Sequence, residues 1–269
     1  MRAPDSYLES GGARLRFRDE GEGEALVFIH GWTLDLEMWD AQAAEFGRSM
    51  RVIRFDRRGH GLSGGRPGYE RDEHDLEALL DHLHVPRAVL VGMSQGARTA
   101  LTFALRLPQR VAGLVLDGAP DFSGAISRDE QLPLEHYRGL ARTGGLEAFR
   151  DAWREHPLMQ LHSGDRSATE LLARSLGRYQ GLDLLDPAAA EQPALDARAL
   201  GRLPVPVLIV NGERDPDDRL AASSWLAGNL PRAERACVAG AGHLPNLDNP
   251  REYAEELRKF LQRQTRAAA

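Results

Sequence analysis

The stretch Ala88-Val89-Leu90-Val91-Gly92-Met93-Ser94-Gln95-Gly96-Ala97 decides how the rest of the chain is read. Its first four residues are apolar and rich in β-branched side chains, which predicts a short buried strand. From Gln95 onward the period changes, and Ala97, Leu101, Ala104 and Leu105 fall on one face of a predicted helix. Between strand and helix lies G-x-S-x-G, a pattern that stands a serine on a tight turn while two glycines leave room for neighbouring elements. Glycine makes up 27 of 269 residues, so the five letters alone are weak and also describe an ordinary serine-capped turn. The flanking strand and helix are what give them meaning.

Outward from this turn, apolar runs recur at Leu26–Ile29, Val52–Phe55, Val111–Leu116 and Val205–Val210. Stretches of helical period separate them, such as Leu76, Leu79, Leu80 and Leu83. That alternation predicts βαβ units and an α/β fold with a mostly parallel, doubly wound sheet. A closing helix is signalled by Asn249 as N-cap, Pro250 at the first helical position and Glu252 in a box-like pattern. Tyr253, Leu257, Phe260 and Leu261 then share one face. From about Asp121 to about Leu203 the strand rhythm stops. Three or four short helices are expected there, separated at Gly144-Gly145, Pro157, Gly164, Gly181 and Pro187. A helical block inside a parallel α/β pattern reads as a lid inserted at the carboxyl edge of the sheet, where ligands bind. The expected organisation is a core of residues 1–120 and 204–269 with a helical cap at 121–203.

The chain is 42% hydrophobic and 28% charged, which supports a sizeable core and excludes disordered, collagen-like and disulfide-scaffold classes. Its formal charge of −6, with no long run of one sign, argues against nucleic-acid and membrane partners. A small-molecule substrate is the expected partner; oligomeric state is not legible. Asp5 and Glu9 stand where a signal peptide needs an apolar stretch, so a cytoplasmic protein is expected. Cys237 is the single cysteine and, in a predicted strand, reads as a small buried hydrophobe.

A serine hydroxyl becomes a nucleophile only when a base takes its proton and a carboxylate holds that base. After the cap, Val205–Val210 leads into Asn211-Gly212-Glu213-Arg214-Asp215, placing Asp215 just past a strand. Gly240-Ala241-Gly242-His243 follows, and His243 is the only histidine after residue 162. Ser94, Asp215 and His243 are thus the candidate nucleophile, acid and base. Asp117, at the end of Val111–Leu116, is the rival acid, because a loop after the preceding strand also reaches the histidine. Asp217 and Asp218 are weaker rivals. The oxyanion needs preorganised backbone donors. The N–H of Gln95 at the helix start is one, and that of Trp32, in His30-Gly31-Trp32 after the first apolar run, is the proposed second. The Trp32 indole is expected to floor the pocket, and His30 to order the loop rather than titrate.

Together these residues resemble the α/β-hydrolase superfamily over essentially the whole chain. Beyond the triad the resemblance rests on His30-Gly31-Trp32, on Asp56-Arg57-Arg58-Gly59-His60-Gly61-Leu62-Ser63, similar to the family's D-x-R-G-x-G-x-S turn, and on Pro108-Gln109-Arg110-Val111. It implies a structural role for Asp56 to Ser63. Small capped bacterial carboxylesterases, enol-lactonases, cofactor-free haloperoxidases and hydrolases of ring-cleavage products are the nearest in kind. Serine at position 94 excludes the branches that use an aspartate nucleophile. Many lactonase and ring-cleavage members read S-M-G-G where this chain has Ser94-Gln95-Gly96-Ala97.

The resulting expectation is a serine hydrolase that cleaves a small ester or lactone through an acyl-enzyme, without metal or organic cofactor. His82 and His84, two apart, are not expected to share a metal. Two alternatives stay open: carbon–carbon bond hydrolysis of a ring-cleavage product with the same triad, and a ligand receptor that keeps a hydrolase-like pocket. Specificity is expected from the cap, with Tyr137, Phe149, Trp153 and Met159 as substrate-binding candidates alongside Trp32.

Overall fold

The structure, a computed structural model, describes residues 3–124, 132–186 and 195–268. Eight strands build one sheet: β1 (Ser6–Ser10), β2 (Ala13–Glu20), β3 (Ala25–Ile29), β4 (Arg51–Phe55), β5 (Ala88–Met93), β6 (Val111–Asp117), β7 (Val207–Gly212) and β8 (Ala233–Val238). Their order is β1-β2-β4-β3-β5-β6-β7-β8. Strands β3 to β8 are mutually parallel, and β2 pairs antiparallel with both β1 and β4.

Continuous apolar runs become strands here because both faces of the sheet are covered. Along β3, Leu26 and Phe28 enter one core while Val27 and Ile29 enter the other, and along β5 Val89 and Val91 oppose Ala88 and Leu90. Of the helices that follow α1 (Asp40–Phe46), α2 (Tyr69–His82) and α3 (Gln95–Arg106) pack one face, where buried Leu76, Leu79, Leu80 and Leu101 form their stripes. Burying each such side chain contributes roughly 1.5–3 kcal/mol. On the other face lies the closing helix Pro250–Ala268, with Tyr253, Leu257 and Phe260 buried. Its start follows the sequence: the Glu252 N–H donates to the Asn249 side chain, whose amide donates back to the Glu252 carboxylate at 2.8 Å.

Strands β1 and β2 are invisible as apolar runs. The inward positions of β2 include Arg16 and Arg18, which are buried because carboxylates meet them: Arg16 reaches Asp5, Glu37 and Asp56, and Arg18 reaches Asp5 and Asp40. Cys237 is not the buried hydrophobe expected. It is exposed, because β8 is the edge strand and Cys237 faces outward from it.

Between β6 and β7 the described chain is helical: Leu134–Arg154, a short turn at Pro157–Met159, then Arg166–Arg178, Leu182–Leu185 and Ala197–Leu200. Gly145, with φ 76° and ψ 178°, interrupts the first of these. The expected break at Pro187 lies outside the described residues. This helical segment leaves the sheet at the carboxyl end of β6 and rejoins it at the amino end of the neighbouring parallel strand β7, and its Trp153, Leu158 and Met159 share a cavity wall with Ser94 of the β5–α3 turn.

Candidate active site

Ser94 occupies the turn between β5 and α3 with φ 52° and ψ −114°, a left-handed conformation that costs a non-glycine residue on the order of 1–3 kcal/mol. Neighbouring backbone holds it there. The Ser94 N–H donates to the Asp117 carbonyl at 2.7 Å, and the Ser94 carbonyl accepts from the Ala97 and Arg98 N–H groups. A Cβ on Gly92 would lie 2.2 Å from the Gly96 carbonyl oxygen, and one on Gly96 2.2 Å from that of Ile29. Neither obstacle is a movable side chain, so the flanking glycines are steric requirements of the turn.

His243 follows β8 in a loop closed by Asp248, whose carboxylate accepts from the Gly242 N–H at 2.8 Å. The His243 Nδ1 lies 2.8 Å from Asp215 Oδ1, and the other Asp215 oxygen accepts from the Asn211 side-chain amide at 2.7 Å. A proton on Nδ1 donated to Asp215 leaves Nε2 as a free acceptor, the tautomer general-base catalysis needs. Gly118 makes room for the ring: its φ is 52°, and a Cβ there would sit 2.7 Å from His243 Cε1.

Asp117, the rival acid, is fully buried at the end of β6. Burial, then the charge of Asp215, pushes its carboxyl well above the usual range, against a smaller opposing effect of Tyr253. It makes no ion pair with His243 among the described residues, and Asp215 does.

The loop after β3 packs against the nucleophile, since a Cβ on Gly31 would be 3.4 Å from the Ser94 Cβ. His30 behind it is buried, with Nδ1 2.7 Å from the Gly31 carbonyl and Nε2 accepting the Arg57 N–H at 2.8 Å. Burial, then His60 and Arg57, lowers its pKa well below the ordinary imidazole value, so it is a neutral strut. Neither the Trp32 nor the Gln95 N–H donates a hydrogen bond among the described residues. The Gln95 side chain is turned to Arg57, whose guanidinium donates to its Oε1 at 3.2 Å and is itself held by Asp72.

The helical segment between β6 and β7 reaches down to this loop. Trp153 Nε1 donates to the Thr33 hydroxyl at 2.9 Å, while Trp32 Nε1 donates to Asp183 at 2.7 Å and to the Tyr179 hydroxyl at 3.1 Å. Tyr179 in turn donates to Asp183. Arg178 joins that segment to Asp35 and Glu37, and Asp248 accepts from the N–H groups of His162 and Ser163.

These elements line a partly open cavity whose wall includes Ser94, His243, Gln95, Trp32, Trp153, Met159 and Arg219. Tyr137 and Phe149 are corrections to the expected substrate contacts: they stand behind Trp32 and Trp153 as buried aromatic packing, because the two indoles occupy the inner layer. Sequence reasoning missed Gly118, Asn211, Asp248, Asp183 and Arg219. Asn211 lay in plain view as a turn former, but nothing local signalled that its amide would face Asp215. No group of three or more potential metal ligands occurs among the described residues, and His84 lies beyond the end of α2 with φ 53°.

The chain's relatives agree with this architecture. A Bacillus subtilis protein provisionally named 2-succinyl-6-hydroxy-2,4-cyclohexadiene-1-carboxylate synthase is 32% identical, over 94% of this chain and 96% of its own. A pimeloyl-[acyl-carrier protein] methyl ester esterase of Chromobacterium violaceum is 31% identical, over 91% and 96%. The crystal structure of the enol-lactonase from Burkholderia xenovorans superposes with a TM-score of 0.82 at 25% identity, covering 96% of this chain and 100% of that one. As a class, then, the protein is an enzyme of the α/β-hydrolase kind. It belongs to the alpha/beta hydrolase family, whose model matches residues 26–256. No described helix is long and apolar enough to cross a membrane.

Proposed function

We propose that the protein hydrolyses a small ester or lactone through an acyl-enzyme on Ser94. The observation that carries this reading is the 2.8 Å contact of His243 Nδ1 with Asp215, in a cavity whose wall also holds Ser94. His243 Nε2 takes the Ser94 proton as Oγ adds to the carbonyl carbon. The oxyanion accepts hydrogen bonds from the Trp32 and Gln95 N–H groups, and Asp215 stabilises the imidazolium. The imidazolium then protonates the departing alkoxide. Water, deprotonated by the same imidazole, cleaves the acyl-enzyme and regenerates Ser94. No step calls on a metal or organic cofactor.

Labelling with a fluorophosphonate tests the mechanism: a single adduct at Ser94, absent in Ser94→Ala, supports it, and an unlabelled active protein refutes it. Carbon–carbon bond hydrolysis would use the same three side chains. A panel of aryl esters, lactones and a ring-fission dienone separates the two reactions.

A further inference from the structure

Arg219, in the first turn of the helix Asp217–Asn229, is 4% exposed and lines the cavity that holds Ser94 and His243. Apart from Ser94, Gln95 and His243, its companions in that wall are apolar or aromatic, among them Leu34, Met93, Leu158 and Leu244. Several other buried arginines of this protein are neutralised by hydrogen-bonded carboxylates. Arg16 donates to Asp56 and Glu37, Arg57 donates twice to Asp72, and Arg58 donates to both oxygens of Asp75, while the half-buried Arg178 donates to Asp35. Among the described residues Arg219 has no such partner. Its guanidinium donates no hydrogen bond among the described residues, its buried Nε is unsatisfied, and its ion pair is a 3.4 Å approach of that Nε to Asp218, which is 30% exposed.

The pKa follows the same division. In Arg16, Arg57 and Arg178 the acidic neighbours outweigh burial and raise it. In Arg219 burial wins over Asp218, Asp215 and Asp121, and lowers it. A buried cation without a hydrogen-bonded counter-charge is costly unless a bound group supplies one. A planar guanidinium offers paired donors that match a carboxylate.

We infer that Arg219 is the carboxylate-binding residue of the acyl pocket, and that the substrate is an ester or lactone carrying a second, free carboxylate. The inference rests on the hydrolase reading above and narrows it to acidic substrates. The apolar walls accept the chain between the two ends, and Arg219 fixes the end away from the scissile carbonyl. The residue positions substrate and takes no proton.

The test compares the monomethyl esters of succinic, glutaric and adipic acids with the neutral methyl esters in which an isopropyl group replaces the carboxylate. The expected result is a preference for the acidic member of at least one pair of roughly 10- to 100-fold in kcat/KM, the worth of one charge-assisted hydrogen bond. In Arg219→Met that ratio falls at least tenfold, through KM rather than kcat, and Arg219→Lys restores part of it. Equal rates for all three pairs in the wild type, or loss of acidic and neutral turnover alike in Arg219→Met, overturns the inference. Binding separates this from the triad. The preferred half-ester raises the Tm of Ser94→Ala but not that of Ser94→Ala combined with Arg219→Met. Such stabilisation without wild-type turnover sinks the hydrolase reading and leaves the carboxylate site standing. A half-ester that stabilises both variants equally sinks the site.

Discussion

Replacing Asp117 by asparagine separates the two acids that sequence order leaves in competition. An unfolded aspartate ionises near pH 3.9. In the folded protein, burial and the adjacent Asp215 charge keep Asp117 protonated well above that value. Between the two pKa values the folded state holds one proton more than the unfolded chain. Wild-type stability therefore falls as pH rises, at about 1.4 kcal/mol per pH unit, until Asp117 ionises in the native state as well. Asparagine keeps the shape and neutrality of the protonated acid and has no such dependence. The Asp117→Asn variant should therefore gain on the wild type from about pH 4 upward with that slope, read from urea unfolding at a series of pH values. Its kcat/KM should stay within a few-fold of wild type, whereas Asp215→Asn, which strips the imidazole of its charge partner, should lose roughly 10³–10⁴-fold. A pH-independent stability difference, or a collapse of activity in Asp117→Asn with Asp215→Asn active, would refute this assignment.

Three further substitutions probe the frame around the site. Gly118→Ala places a methyl 2.7 Å from His243 Cε1 at a left-handed position, so kcat should drop roughly 100-fold from ring displacement while stability falls by roughly 1–2 kcal/mol; an unchanged kcat contradicts this. Gly96→Ala drives a Cβ to 2.2 Å from the Ile29 carbonyl, and its cost should exceed roughly 4 kcal/mol, seen as absent or strongly destabilised protein on expression and thermal melting. Asp183→Ala strands the buried Tyr179 hydroxyl and leaves Trp32 Nε1 only its longer bond to that hydroxyl; thermal unfolding should register a loss of roughly 1–3 kcal/mol and KM should rise as the Trp32 loop loosens, while an unaltered Tm would show that Asp183 does not hold that loop.

The parallel sheet, the serine turn and the chain order of Ser94, Asp215 and His243 are all legible before the chain folds. Each is a local signal: a continuous apolar run, a glycine pair at fixed spacing, and a loop just past a strand. Even the last helix was written in Asn249, Pro250 and Glu252, because capping acts within one turn of chain. The N-terminal strands escaped for the opposite reason. Arg16 is a core residue only because Asp5, Glu37 and Asp56 converge on it from other elements. Only the folded packing makes Asp215 rather than Asp117 meet His243, puts Tyr137 and Phe149 one layer behind the cavity, and turns Arg219 into it with no hydrogen-bonded partner among the described residues. Burial and charge compensation depend on which groups lie within a few ångströms in space, and for these residues those groups come from distant parts of the chain.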